Sequence, residues 1–344
     1  MIFGSALDTR VGLNFLLLFA IVSGVVFSAT NSGENIHLSS RYKLTIDLFF
    51  ATYIGLVCSK ILTSFDPVEA ASVIVSYLPV GLLGLVLVFY LRHGVSFSKL
   101  TPWFALVAVI YAILELYQIY LHPWGRVSFG YNPIPLGMIA VQLMFWCGCA
   151  TLERQRSSFL AIVGIVAAFW VVYLTGCRAA VGVFWHGLQK GNSSIPTGVD
   201  TEIAGNGFNR SWIWHTGIDV IKQQTWLGWG REAHLTQEMF RAIDAPNVLT
   251  TFPHFHKEII NMAVRFGIPA AILMVVSYAS LFLIPTNKRA FWITFVFLSQ
   301  LFALSVTDVI WHHSVTMSMF VFTLILMFLF LIEDSERDED APTR

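Results

Sequence analysis

FLAIVGIVAAFWVVYLT, residues 159–175, holds no charge, no proline and no amide side chain. As a helix it rises about 25 Å, close to the hydrocarbon thickness of a bilayer. It has no polar face to offer water, and in lipid only a helix lets such a segment satisfy its own backbone. The stretch therefore reads as a transmembrane helix. Outward from it the pattern recurs. Comparable apolar runs lie at Val11–Thr30, Ile46–Leu62, Ala71–Leu91, Pro102–Leu121, Ile134–Leu152, Ile259–Leu283, Phe291–Asp308 and Ser314–Ile332, which makes nine in all. Composition agrees: of 344 residues, 56% are hydrophobic and 12% charged, where an average globular chain carries roughly 25% charged. A soluble fold of this length has too little interior to hide so much apolar surface. The expected fold is an all-α polytopic membrane protein, one integral membrane domain over 1–344, with about nine transmembrane helices and one large loop before the last three.

Net charge is zero, so there is no basic field for nucleic acid, and none is expected as a partner. Cys58, Cys147, Cys149 and Cys177 lie in or beside apolar runs and read as packing thiols. The Cys147-Gly-Cys149 spacing is wrong for a zinc knuckle.

Lys and Arg in the short loops set the orientation. One set of loops carries Arg41, Lys43, Arg92, Lys99, Arg154, Arg156, Lys288 and Arg289; the other carries only Arg10, Lys60, Arg126 and Arg178. The first set is expected in the cytoplasm together with the acidic tail, 333–344, and the N-terminus outside. No small-residue cleavage site follows the first run, so it reads as a retained helix. The outer face then holds the His122–Pro133 loop, the segment after Gly176 and the long loop, 190–257. Within that loop Ser211–Gln224 has helical apolar spacing, and the glycines of WLGWG (226–230) end it. This helix is expected along the membrane surface or over a cavity.

The outer face collects Arg126, Arg178, Arg210, His254 and His256, each expected at headgroup depth. A guanidinium stays charged and grips phosphate with two parallel hydrogen bonds. Three arginines from three segments can hold a lipid diphosphate; singly, each is equally an interfacial anchor. The His254–His256 pair lacks the further ligands and acidic cluster a metal wants, whereas an imidazole titrates near neutrality and suits acid–base work. Trp212, Trp214, Trp226 and Trp229 can stack on sugar rings or mark the interface. Asp47, Glu115, Arg265 and Asp308 lie in or near spans, and Glu115 with Arg265 can form an ion pair. Intramembrane charge of this kind also fits a transporter or flippase for an anionic or lipid-linked substrate. Against that stand the absence of paired broken helices and the lopsided order of six spans, a loop and three spans.

Four stretches, in order, resemble the O-antigen ligase and O-antigen polymerase family, membrane glycosyltransferases that use polyprenyl-diphosphate-linked glycans. They are GRVSFGYNPIPLG (125–137), LTGCRAA (174–180), NRSWIWHTGIDVIKQQTWLGWG (209–230) and HFHKEIINMAVRFGIPAAIL (254–273). The resemblance implies transfer of the glycan on the periplasmic face of the inner membrane, with no metal or other cofactor. It implies that His256, eleven residues before Gly267, handles the acceptor hydroxyl's proton while His254 orients. Arg178 and Arg210 match the arginines that engage the donor diphosphate, and Arg126 matches a further family arginine. The implied partners are the lipid-linked donor, a glycolipid or glycan acceptor, and membrane lipid. The expected activity is O-antigen ligase with lipid A–core as acceptor; a polymerase shares the same motifs.

Overall fold

The computed structural model describes residues 38–63, 67–121, 133–152, 158–174, 210–230, 255, 257–307, 310–311 and 314–339. These form helices and no strand. In order they are α1 (Ser40–Thr63), α2 (Pro67–Gly81), α3 (Leu83–Arg92), α4 (Phe97–Leu121), α5 (Pro133–Leu152), α6 (Ser158–Leu174), α7 (Arg210–Gln223), α8 (Glu258–Ser280, prolonged by a 3-10 turn, Leu281–Leu283), α9 (Lys288–Thr307) and α10 (Ser314–Glu339). Eight of the nine apolar runs thus coincide with helices; Val11–Thr30 lies outside the described residues. By length and apolar composition alone, α1, α4 and α8 suffice to cross a membrane, and the bent pair α2–α3 makes a fourth if taken as one span.

The α2–α3 pair bends by 41°. Pro79 lies inside α2, three residues before the break at Leu82. At Gly81 the ring of Tyr53 presses in from α1, and a Cβ there would lie 2.6 Å from Tyr53 Cδ1.

α10 is the central element. Leu324 to Leu331 are all buried whichever side of the helix they occupy. An all-round apolar helix wants such a surround, and α2, α3, α4, α5 and α9 supply it. α4, α5 and α6 form a second group whose helices approach through small residues. A Cβ at Gly164 would lie 2.7 Å from Cys147 Sγ and 2.8 Å from Ala105 Cα, the close backbone approach that drives association between lipid-bathed helices. Cys147 and Cys149 are buried packing groups as read from the sequence, whereas Cys58 is exposed.

α1 and α8 run antiparallel, stitched by hydroxyls. Thr45 Oγ1 donates to Ser280 O (3.2 Å), Thr52 and Ser277 share a hydrogen bond (2.9 Å), and Ser59 Oγ donates to Leu227 O (2.6 Å). At the end where α8 finishes, Asn287 Nδ2 donates to Asp334 Oδ2 (2.6 Å) and Arg289 approaches the same carboxylate (3.5 Å). The backbone N–H of Ser98 meets Glu333 there as well. The start of α1, the start of α4, the α8–α9 connection and the end of α10 therefore share one end of the bundle. That is the end whose loops carry the excess of Lys and Arg. Ser59 and the 226–230 turn lie at the other.

Candidate active site

The expected site residues divide. Arg126, Arg178, His254 and His256 lie outside the described residues, as does most of the long loop. Arg210 is the first residue of α7, and only its backbone is described. What the structure adds is the scaffold that holds the two segments bearing Arg210 and His256.

α7 does not lie free on a surface. Its Thr216 and Val220 are buried against α8, while His215 and Asp219 face outward. After Gln223 the chain turns through 224–230, where Gly228 and Gly230 take φ of 68° and 97°. These conformations are easy for glycine and strained for any other residue. The turn inserts into a gap in α8. At Gly267 (φ 84°, ψ 167°) the helix breaks, which frees carbonyls before it and an N–H after it. Trp229 N donates to Val264 O (2.7 Å), Gly230 N to Arg265 O (2.8 Å), and Ile268 N to Thr225 O (2.9 Å). The Trp229 indole returns to Val220 O (3.2 Å), which closes the turn back onto α7. Backbone meets backbone so closely that a Cβ at Gly228 would sit 2.5 Å from the Arg265 carbonyl carbon. One at Gly267 would sit 2.1 Å from Trp226 O.

The Ile259–Leu283 run, read from sequence as one plain span, is thus two half-helices meeting at Gly267. Pro269 lacks an N–H and sits in the first turn of the second half, where the missing donor costs nothing. The first half carries Glu258, Asn261 and Arg265. All three are buried, and Arg265 Nε donates to Asn261 Oδ1 (3.1 Å). Glu115 is buried too, but neither of its oxygens has a hydrogen-bond partner among the described residues, so the Glu115–Arg265 pair that the sequence allows is not made.

The residues on either side of His256 are fastened to α7. Phe255 is fully buried, and a Cβ at Gly217 would lie 2.9 Å from its Cδ1. Lys257 places its ammonium 4.8 Å from the centre of the Trp214 ring, a cation–π contact. Glu258 is fully buried, and its Oε2 accepts from the backbone N–H groups of Ile310 and Trp311, the latter at 3.1 Å. The start of α8 is therefore packed inside the bundle. Glu258 and Trp311 were given no role in the sequence reading. A carboxylate at a helix N-terminus looks like ordinary dipole complementarity, and nothing in the sequence pairs it with backbone groups 52 and 53 residues away.

Among the described residues, then, this is a helical protein with membrane-length apolar helices. One helix of its long loop is docked by backbone hydrogen bonds into a broken helix. Residues 135–275 match the family model described as O-antigen ligase, the family that the four motifs resemble. The match runs from α5 to the second half of α8 and takes in the LTGCRAA, NRSWIW and HFHKEI stretches together with the docked turn. No curated protein matches the chain.

Proposed function

We propose that the protein is a membrane glycosyltransferase that moves a polyprenyl-diphosphate-linked glycan onto an acceptor at the periplasmic face of the bacterial inner membrane. The observation that carries this reading is the O-antigen ligase match over 135–275, which spans both segments that the docked turn holds together. Nine transmembrane helices, the 190–257 loop in the periplasm and the acidic tail in the cytoplasm complete the topology.

The acceptor hydroxyl oxygen attacks the anomeric carbon of the donor sugar and the bond from that carbon to the diphosphate oxygen breaks. The diphosphate leaves with the bonding pair. The hydroxyl proton passes to His256, with His254 orienting. Arg178 and Arg210, with Arg126, bind the diphosphate and stabilise the charge that grows on it, usually the largest contribution in such chemistry. Lipid A–core is the acceptor we favour. The Lys257–Trp214 contact supports the mechanism because it ties the histidine segment to the helix that Arg210 begins.

The experiment is a gel of surface glycan from a deletion strain, complemented with wild type or His256→Gln. Loss of long glycan from an intact core, with lipid-linked polymer accumulating, identifies a ligase; a core bearing a single repeat unit identifies a polymerase. His256→Gln should complement poorly, in keeping with the 10²–10⁴-fold span typical of a general base. Transport of a lipid-linked substrate with no new glycosidic bond overturns the reading in favour of a transporter. The breaks at Leu82 and Gly267 remove one sequence argument against that class, and the family match is what weighs against it.

A further inference from the structure

Trp311 touches both halves of α8. Its backbone N–H donates to Glu258 Oε2 (3.1 Å) in the first half, and its indole Nε1 donates to Tyr278 OH (2.7 Å) in the second. In a straight helix Glu258 and Tyr278 would stand about 30 Å apart. One tryptophan and the two side chains together cannot span that distance, so α8 turns back sharply at Gly267. Tyr278 packs on Phe49, and its neighbour Ser277 bonds to Thr52. Both partners lie near the middle of α1, so the clamp sits at mid-bundle. Tyr77 and Phe320 lie against the Trp311 ring, with centroids 6.2 and 5.7 Å away. Tyr77 also meets Phe266 edge-on at 5.5 Å. The fold-back is thus held at its apex by the 226–230 turn and across its mouth by Trp311.

We propose that Glu258, Trp311 and Tyr278 form a positioning clamp that fixes the angle between the two halves of α8, and so fixes the approach of the first half, two residues beyond His256, to the reacting glycan. The clamp belongs to the fold; its catalytic consequence rests on the function proposed above. Its chemistry is specific. Both backbone donors converge on a single carboxylate oxygen, so an amide carbonyl at the same place can replace the carboxylate. An apolar side chain cannot. Burial of an N–H stripped of its acceptor is expensive in an apolar interior, and the half-helix should swing to find another.

The test reads angle and activity separately. Nitroxide labels go on Ile259→Cys and Val276→Cys, one on each half and both partly exposed. Cys58 and Cys177 are replaced by serine, and the buried Cys147 and Cys149 are retained. A straight helix would set the two labelled backbones about 25 Å apart; the clamped form should give a shorter, narrow distance distribution. Glu258→Gln should keep that distribution and kcat within about threefold. Glu258→Met and Trp311→Phe should lengthen and broaden it and lower kcat about tenfold or more, with donor KM nearly unchanged. Tyr278→Phe keeps the ring contacts, removes only the indole's acceptor, and should fall between. Wild-type distances in Glu258→Met and Trp311→Phe overturn the clamp, and so does a lengthened distance with unchanged kcat. Distances that respond as described in a protein whose wild type transfers no glycan support the clamp and overturn the proposed function instead.

Discussion

Gly267→Ala tests the docking of the long loop into α8. Gly267 has φ 84° and ψ 167°, a region open essentially to glycine alone, and another residue held there costs of order 1–3 kcal/mol. The added methyl would also lie 2.1 Å from Trp226 O and 2.4 Å from Trp226 C. These are backbone atoms, so no rotamer change relieves the contact. The turn must withdraw, and with it go the hydrogen bonds Trp229–Val264, Gly230–Arg265 and Ile268–Thr225, each worth about 1 kcal/mol net. Together the loss is about 4–6 kcal/mol, a large share of the roughly 5–15 kcal/mol that holds a typical domain folded. At about 2–4 °C per kcal/mol for a long chain, melting should fall by of order 10 °C. A thiol-reactive dye reads the transition in detergent, because Cys147 and Cys149 are buried in the folded protein. Gly148→Ala is the control: nothing lies within 4 Å of its added methyl, and alanine in a helix is up to about 1 kcal/mol better than glycine. Gly267→Ala melting within 2 °C of wild type, with glycan transfer intact, would show that the break and its docked turn are not what holds the loop.

Four further outcomes are expected. Gly217→Ala, whose methyl would meet Ile260 Cγ2 at 2.4 Å and Phe255 Cδ1 at 2.9 Å, should cost about 1–3 kcal/mol in the same melting assay. Glu115→Leu should raise the melting temperature, because it replaces a buried carboxyl that has no hydrogen-bond partner among the described residues with an apolar side chain of similar size; a loss of transfer in that variant would mark the acid as used in the reaction. Arg178→Lys and Arg210→Lys keep the charge but lose the planar fork, and each should lower transfer in membranes about tenfold or more while Arg154→Lys stays near wild type. A cysteine at Gly198 should react with an impermeant thiol reagent in outer-membrane-permeabilised cells and one at Ser157 should not; the opposite labelling would invert the topology.

The apolar helices were legible because their hydrophobic runs are long and unbroken, a signal that composition carries alone. Phe159–Thr175 became Ser158–Leu174, and Ile134–Leu152 became Pro133–Leu152. The helix expected over Ser211–Gln224 is Arg210–Gln223, since its apolar spacing and the glycines after it are both local signals. The half-helix break was less visible. Hydropathy sums straight through Gly267, because glycine between apolar neighbours barely lowers the mean. A sharper reading was available in Gly267-Ile268-Pro269: a residue able to take positive φ, followed two positions on by one suited to a helix's first turn. Pro102 shows why proline alone does not settle such a case, since it sits in α4 and the helix continues past it.

What no reading of side chains could recover is the partner of that break. Periodicity, charge spacing and hydropathy all describe side chains, and the contact at Gly267 is made by main chain on both sides. Gly228 faces the backbone of Arg265, Phe266 and Gly267, while Gly267 faces the backbone of Trp226 and Leu227. Each glycine is required by the closeness of the other segment, so the two are a matched pair thirty-nine residues apart. The same holds for Glu258, whose partners are the N–H groups of Ile310 and Trp311 and which would be satisfied by any residue types there that keep an N–H. In this protein the polar backbone groups released by a broken helix are the docking sites. In lipid, where water cannot take those hydrogen bonds, a helix interrupted at mid-sequence has to be answered by another segment of chain. Here the answering segment is the turn that follows α7, and it brings with it the helix that begins at Arg210.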